Sequence, residues 1–135
     1  MDPALRNRLA EDHRSLDERF GRFLGAATGG DPAAAAEAIR AFDEGLRRHT
    51  ALEEETILPP PPDGRLAAAA DETPEQRLSR ELRLEHVQIR ELSAMILRLL
   101  EERADLSGAL HLAGNLARRW DAHTTREERE LLSSD

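Results

Sequence analysis

Four stretches of this chain each carry one apolar stripe at helical spacing, and polar side chains interrupt all four stripes at matching places. The first stripe runs Leu5, Leu9, His13, Leu16, Phe20, Phe23, Ala27. The second runs Ala35, Ile39, Phe42, Leu46, His49, Glu53, Ile57. The third runs Leu78, Leu82, His86, Ile89, Ser93, Ile96, Leu100, and the fourth Ala109, Ala113, Leu116, Trp120, His123, Glu127, Leu131. A 3.6-residue period of this length demands amphipathic helices, and four of them on mostly short connections predict an all-α, antiparallel up-down four-helix bundle. Sheet formers are scarce, with Val87 the only valine, which argues against an all-β or α/β fold.

The helix starts are written in the capping residues. Asp2-Pro3, Asp31-Pro32 and Thr73-Pro74 each set a capping side chain before a proline suited to the first helical position, and Gln76 stands at capping-box spacing from Thr73. Gly29-Gly30 stops the first helix, and Pro59 to Pro62 with Asp63-Gly64 stop the second. The fourth helix begins between Asp105 and Ser107. These signals predict helices over 3–28, 32–58, 74–103 and 106–132. Segment 59–73 is a longer connection holding an alanine-rich run, for which helix and coil are both open. The 135 residues fit one domain, 1–135, long enough to bury a core without staples.

Composition narrows the partners. The formal charge is -8 and the arginines are interleaved with acids, so no basic face is expected to bind nucleic acid. There is no cysteine, which removes disulfides, thiolate metal sites and nucleophilic thiols. No apolar run approaches the ~18 residues of a membrane span, and no signal peptide is written in residues 1–30. A cytoplasmic protein without membrane contact is the expectation.

The chemistry lies in the interruptions. Every helix places a His on its buried face, and the second and fourth add a Glu there. A buried ionised carboxylate costs several kcal/mol unless paired with a cation, and two in one core would be worse. The four imidazoles could pair with them; two metal ions would serve both carboxylates better. His49 and Glu53, like His123 and Glu127, are four residues apart, which puts each pair on one helix face roughly 6 Å apart. One His can then bind one metal while the Glu bridges to the next. Imidazole and carboxylate without thiolate suit Fe, with Mn or Zn possible substitutes. The competing reading is a fortuitous set of core histidines, and spacing alone would not exclude it.

The stretch His49-Thr50-Ala51-Leu52-Glu53-Glu54 through Pro59 resembles the His-x-x-x-Glu-Glu segment of hemerythrin-like, or HHE cation-binding, domains. His123-Thr124-Thr125-Arg126-Glu127-Glu128 resembles the second copy of that segment. Glu11-Asp12-His13 and Glu85-His86-Val87 resemble the family's single-histidine helices. The order covers residues 13 to 127, nearly the whole chain. The resemblance implies two non-haem Fe ions joined by an oxo or hydroxo bridge, with His13, His49, His86 and His123 as terminal ligands and Glu53 and Glu127 as bridging carboxylates. It also implies an open position for a small diatomic ligand, O2 or NO, and a role in binding or sensing that ligand or iron and oxidative status. Alternatives are a di-iron redox enzyme reducing peroxide or NO, and iron-centre repair or iron handling.

The chain departs from the oxygen carriers of that family. They have a fifth ligating His near the third, whereas His86 here is flanked by Leu82 and Arg90. His111 falls off the fourth stripe and is read as a surface residue. Asp17 is read as an exposed acid, with an orienting role toward His13 as the alternative. Trp120 is read as core packing, with a wall for a ligand pocket as a compatible second role. Glu54, Glu55, Glu128 and Glu130 are read as solvated helix acids, Glu54 with a possible electrostatic part in the site.

Overall fold

The computed structural model describes residues 1–66, 68 and 70–133. Four helices follow one another, α1 (Pro3–Thr28), α2 (Pro32–Thr56), α3 (Pro74–Arg103) and α4 (Leu106–Glu130). Adjacent helices pack antiparallel, up and down, with α1 against α2, α2 against α3, α3 against α4, and α4 closing on α1. No helix among the described residues is long and apolar enough to cross a membrane.

The caps do what their side chains allow. The carboxylates of Asp2, Asp31 and Asp105 accept from the amides of Leu5, Ala34 and Gly108, and Thr73 with Gln76 forms a full capping box. The turn from α1 to α2 uses Gly30 at φ +79°, where a side chain would be strained. The turn from α3 to α4 has no glycine, so Ala104 itself takes the left-handed conformation at φ 49°. A short 3-10 turn over Pro62–Gly64 lies in the long connection. Of the alanine-rich run there, for which the sequence leaves helix and coil both open, Ala67 and Ala69 lie outside the described residues.

The end of the bundle holding these two tight turns is apolar. Phe20, Phe23 and Phe42 pack ring on ring at 5.4 to 5.6 Å between centroids, with Ile39, Ile96, Leu100 and the small Ala27, Ala35, Ala109 and Ala113 around them. One polar pair interrupts this core. Ser93 donates to the buried Asp43 carboxylate at 2.8 Å, and Arg47 closes its other oxygen from the surface at 2.9 Å.

At the opposite end two helices stop two residues before the expected positions, at Thr56 and Glu130. The cause is the same in both. The Glu53 carbonyl accepts from Ile57 at 2.9 Å and again from Leu58 at 3.0 Å; the Glu127 carbonyl accepts from Leu131 at 2.8 Å and Leu132 at 3.1 Å. Each chain therefore tightens around its last carbonyl and leaves the helical period. Leu58 and Leu132 turn inward and are buried, while the stripe residues Ile57 and Leu131 are only half-buried. Leu5 and Leu78 are likewise half-buried, and Ser79 is buried in place of Leu78, donating to the Pro59 carbonyl at 2.6 Å.

Candidate metal centre

Six of the stripe residues meet at that second end. His13 comes from α1, His49 and Glu53 from α2, His86 from α3, and His123 and Glu127 from α4, and all six are essentially buried. The four-residue spacing within α2 and α4 stacks His over Glu on one face, which brings both carboxylates to the bundle axis. His49 Nε2 stands 3.2 Å from Glu53, His86 Nε2 3.1 Å from the same oxygen, His13 Nε2 2.9 Å from Glu127 and His123 Nε2 2.8 Å from Glu127.

These atoms fall into two overlapping groups. Ligand atoms of His13, His49, Glu53 and Glu127 lie within 4.8 Å of one another, and so do those of Glu53, His86, His123 and Glu127. Each group has its own two imidazoles, and the two carboxylates belong to both.

A second ring of acids fixes the imidazoles from behind. His13 Nδ1 donates to Glu128 at 3.0 Å, His49 Nδ1 to Asp12 at 3.0 Å, His86 Nδ1 to Glu54 at 2.8 Å and His123 Nδ1 to Glu85 at 2.7 Å. In a neutral ring this holds the proton on Nδ1, so the lone pair of Nε2 points inward. The interior is then crowded with acceptors. Nε2 of His49, His86 and His123, both oxygens of Glu53 and Oε2 of Glu127 are buried without a hydrogen-bond partner. So many unsatisfied groups in one place are rare in folded proteins. A cation in each of the two groups would give these inward-facing atoms partners, so the donor set fits metal ions.

This end of the bundle is a candidate metal site. Among known protein families, curated proteins and solved structures none matches this chain, so that conclusion stands on the residues themselves.

The electrostatics of the protein alone show the same demand for positive charge. Burial disfavours protonation of His49 and His86, but the carboxylates of Glu127 and Glu53 overcome it and push both imidazoles up to about 10. Burial likewise opposes protonation of His13 and His123, and contact with Glu127 raises both. Glu127 is disfavoured as an anion by burial, yet its contacts with Glu53, His123, His13 and His49 hold it well below the usual carboxylate range. The inward-facing carboxylates thus favour positive charge among the rings, which a proton or a metal ion can supply.

Trp120 separates the site from the apolar core. Its ring lies 5.7 Å from His13, 6.2 Å from His123 and 6.5 Å from His49 between centroids, and 5.9 Å from Phe42 on the other side. Its indole N–H donates to Asp17 at 2.7 Å, so Asp17 orients this ring and not His13. His111 is exposed on α4, away from the site. Leu82 is buried beside His86, and Arg90 reaches Thr50 at 2.9 Å and Glu54 at 3.2 Å, so neither joins the donors.

Sequence reasoning missed the outer acids. Glu54 is not a solvated helix acid, since it holds the His86 ring, and Glu128, half exposed to solvent as expected, also holds the His13 ring. A signal existed in the pattern itself. An acid precedes each single His (Asp12-His13 and Glu85-His86), and an acid follows each buried Glu (Glu53-Glu54 and Glu127-Glu128).

Proposed function

We propose that this chain is a hemerythrin-like, non-haem di-iron protein that binds or senses O2 or NO, or reports iron and oxidative status through the same centre. The observation that supports the reading most is the sharing of Glu53 and Glu127 between two donor groups that each own two histidines. One metal would need only one group; sharing is the arrangement that suits a bridged pair. In this reading His13, His49, His86 and His123 are terminal ligands, and Glu53 and Glu127 the bridges.

An iron pair, when bound, supplies one-electron chemistry and affinity for small diatomic ligands. The chain does the rest. The outer acids lock each imidazole in the tautomer that presents Nε2. Trp120 and Phe42 keep water from the apolar side. Two histidines per position, with no fifth at Leu82 or Arg90, leave coordination to be completed by a small ligand.

Anaerobic reconstitution with ferrous iron tests this. Two ions per chain by elemental analysis, and optical changes on adding O2 or NO, are expected. A correctly folded sample that takes up no ferrous ion would sink the assignment. Catalytic consumption of peroxide or NO with a reductant would move the chain from ligand binding to redox catalysis.

A further inference from the structure

The two ion positions have matched donors: two histidines each, the same two shared carboxylates, and an acid behind every ring. The donors themselves therefore give no preference. The difference lies one layer out.

Behind His86, Glu54 is neutralised by two arginines, Arg90 at 3.2 Å and Arg83 at 3.3 Å. Behind His123, Glu85 is paired with Arg126 at 2.9 Å. Behind His13 and His49, Glu128 and Asp12 have no arginine within the 4.0 Å of an ion pair among the described residues. Arg8, Arg19 and Arg48 line the same surface cleft as Asp12 and offset part of its charge at longer range, but none pairs with it in contact. We propose that the two positions are unequal, and that a metal fills the His13–His49 position before the His86–His123 position. The proposal rests on the metal reading above.

Two effects act in the same direction. An uncompensated carboxylate adds negative potential at the ion, whereas one capped by a guanidinium at contact distance adds little. A carboxylate that shares its charge with arginine also polarises the Nδ1–H bond less, leaving Nε2 a weaker donor. Exposure works the other way. Side chains of Glu128 and Asp12 are 52% and 33% exposed, against 23% for Glu54 and 28% for Glu85. Water weakens the field of the first pair without reversing its sign, while contact pairing removes most of the field of the second. Arg126 is further divided between Glu81 and Glu130, so the His123 side is the less neutralised of its pair. Glu54, with two arginines, dominates the contrast.

Metal-free protein titrated with Zn2+ at fixed neutral pH, followed by proton–nitrogen spectra of the four assigned imidazoles, decides the order. Zinc is diamagnetic and separates filling from redox chemistry. Below one equivalent the His13 and His49 rings are expected to shift, and His86 and His123 to follow with the second. The separation between the two steps should be on the order of tenfold in affinity, the effect typical of groups that hold metal-bound histidines. Asp12→Asn with Glu128→Gln should level the two steps. Arg83→Gln with Arg90→Gln should tighten the second step and leave the first in place, and this variant keeps the acids that hold the rings. Four rings shifting in proportion, or His86 and His123 shifting first, would overturn the proposal while leaving the metal site intact. No ring shifting at any zinc concentration would overturn the metal site and this ordering with it.

Discussion

The two ends of this bundle are built from the same helices and the same stripe positions, yet they solve opposite problems. At the turn end, Phe20, Phe23, Phe42, Ile39 and Ile96 fill the space, and burial is favourable without further partners. At the other end, the same positions hold four imidazoles and two carboxylates, several with atoms that find no hydrogen bond. Burial there costs free energy until a cation enters. The fold is thus secured at one end and left conditional at the other. Trp120 stands at the boundary, with Phe42 on one side and three imidazoles on the other.

The sharpest way to break this division is Phe23→Ala. Phe23 is fully buried among apolar neighbours at the turn end. Its truncation should cost about 3–5 kcal/mol in denaturant unfolding. Metal content of the folded fraction should stay at the wild-type value; a parallel loss of metal would show that the two ends are not separable.

Metal removal should produce the next largest effect. Metal at about ten times the Kd of each of the two positions should add about 3 kcal/mol in all over the metal-free protein. The metal-free form should also carry a pH signature. His49 and His86 are raised from 6.5 to about 10, so their contribution is full below 6.5 and is lost as pH rises through about 10. Glu127 is lowered from 4.5, so its contribution is present above 4.5 and is lost as pH falls through its lowered value. Metal-free stability should therefore be greatest between pH 4.5 and 6.5 and decline toward pH 10. Metal should flatten the alkaline decline. Unfolding midpoints across that range check this, and an unchanging midpoint without metal would refute the role given to the protons.

Two smaller substitutions sharpen the contrast from the outside. Ala104 occupies the left-handed region at φ 49°, which glycine adopts without strain. Ala104→Gly should stabilise the turn end by about 0.5–1 kcal/mol and leave metal uptake alone. His111→Ala should change stability by less than about 0.5 kcal/mol, with no change in metal stoichiometry. Loss of metal in that variant would mean that α4 had been placed in the wrong register.

Much of this was legible in the chain. The capping pairs Asp2-Pro3, Asp31-Pro32 and Thr73-Pro74 set the helix starts, since each is a local choice made by one side chain and one ring. The convergence of four buried histidines and two buried glutamates was legible because a helix repeats in space as it repeats in sequence. What escaped is what depends on a neighbouring helix. Asp12, Glu54, Glu85 and Glu128 sit one step off their stripes, where a carboxylate looks solvated until the facing helix brings a histidine to it. Asp17 follows His13 by one turn, yet its partner is Trp120 on α4. Asp43 adjoins the second stripe at Phe42, and Ser93 across the core, together with Arg47 one turn on, accounts for its burial. The ends of α2 and α4 escaped for a different reason: a carbonyl accepting two amides is a backbone event that no side-chain pattern announces.

The shared carboxylates have one more consequence, for how the chain is held together. His13 and His49 belong to the α1–α2 hairpin, and His86 and His123 to the α3–α4 hairpin, while Glu53 and Glu127 each enter both donor groups. An ion in either group would therefore be gripped by both hairpins at once. Cut within the connection between α2 and α3, the protein would become two complementary pieces, each bringing two imidazoles and one carboxylate. Their reassembly should then depend on ion concentration as a two-component clasp does, with covalent continuity replaced by coordination.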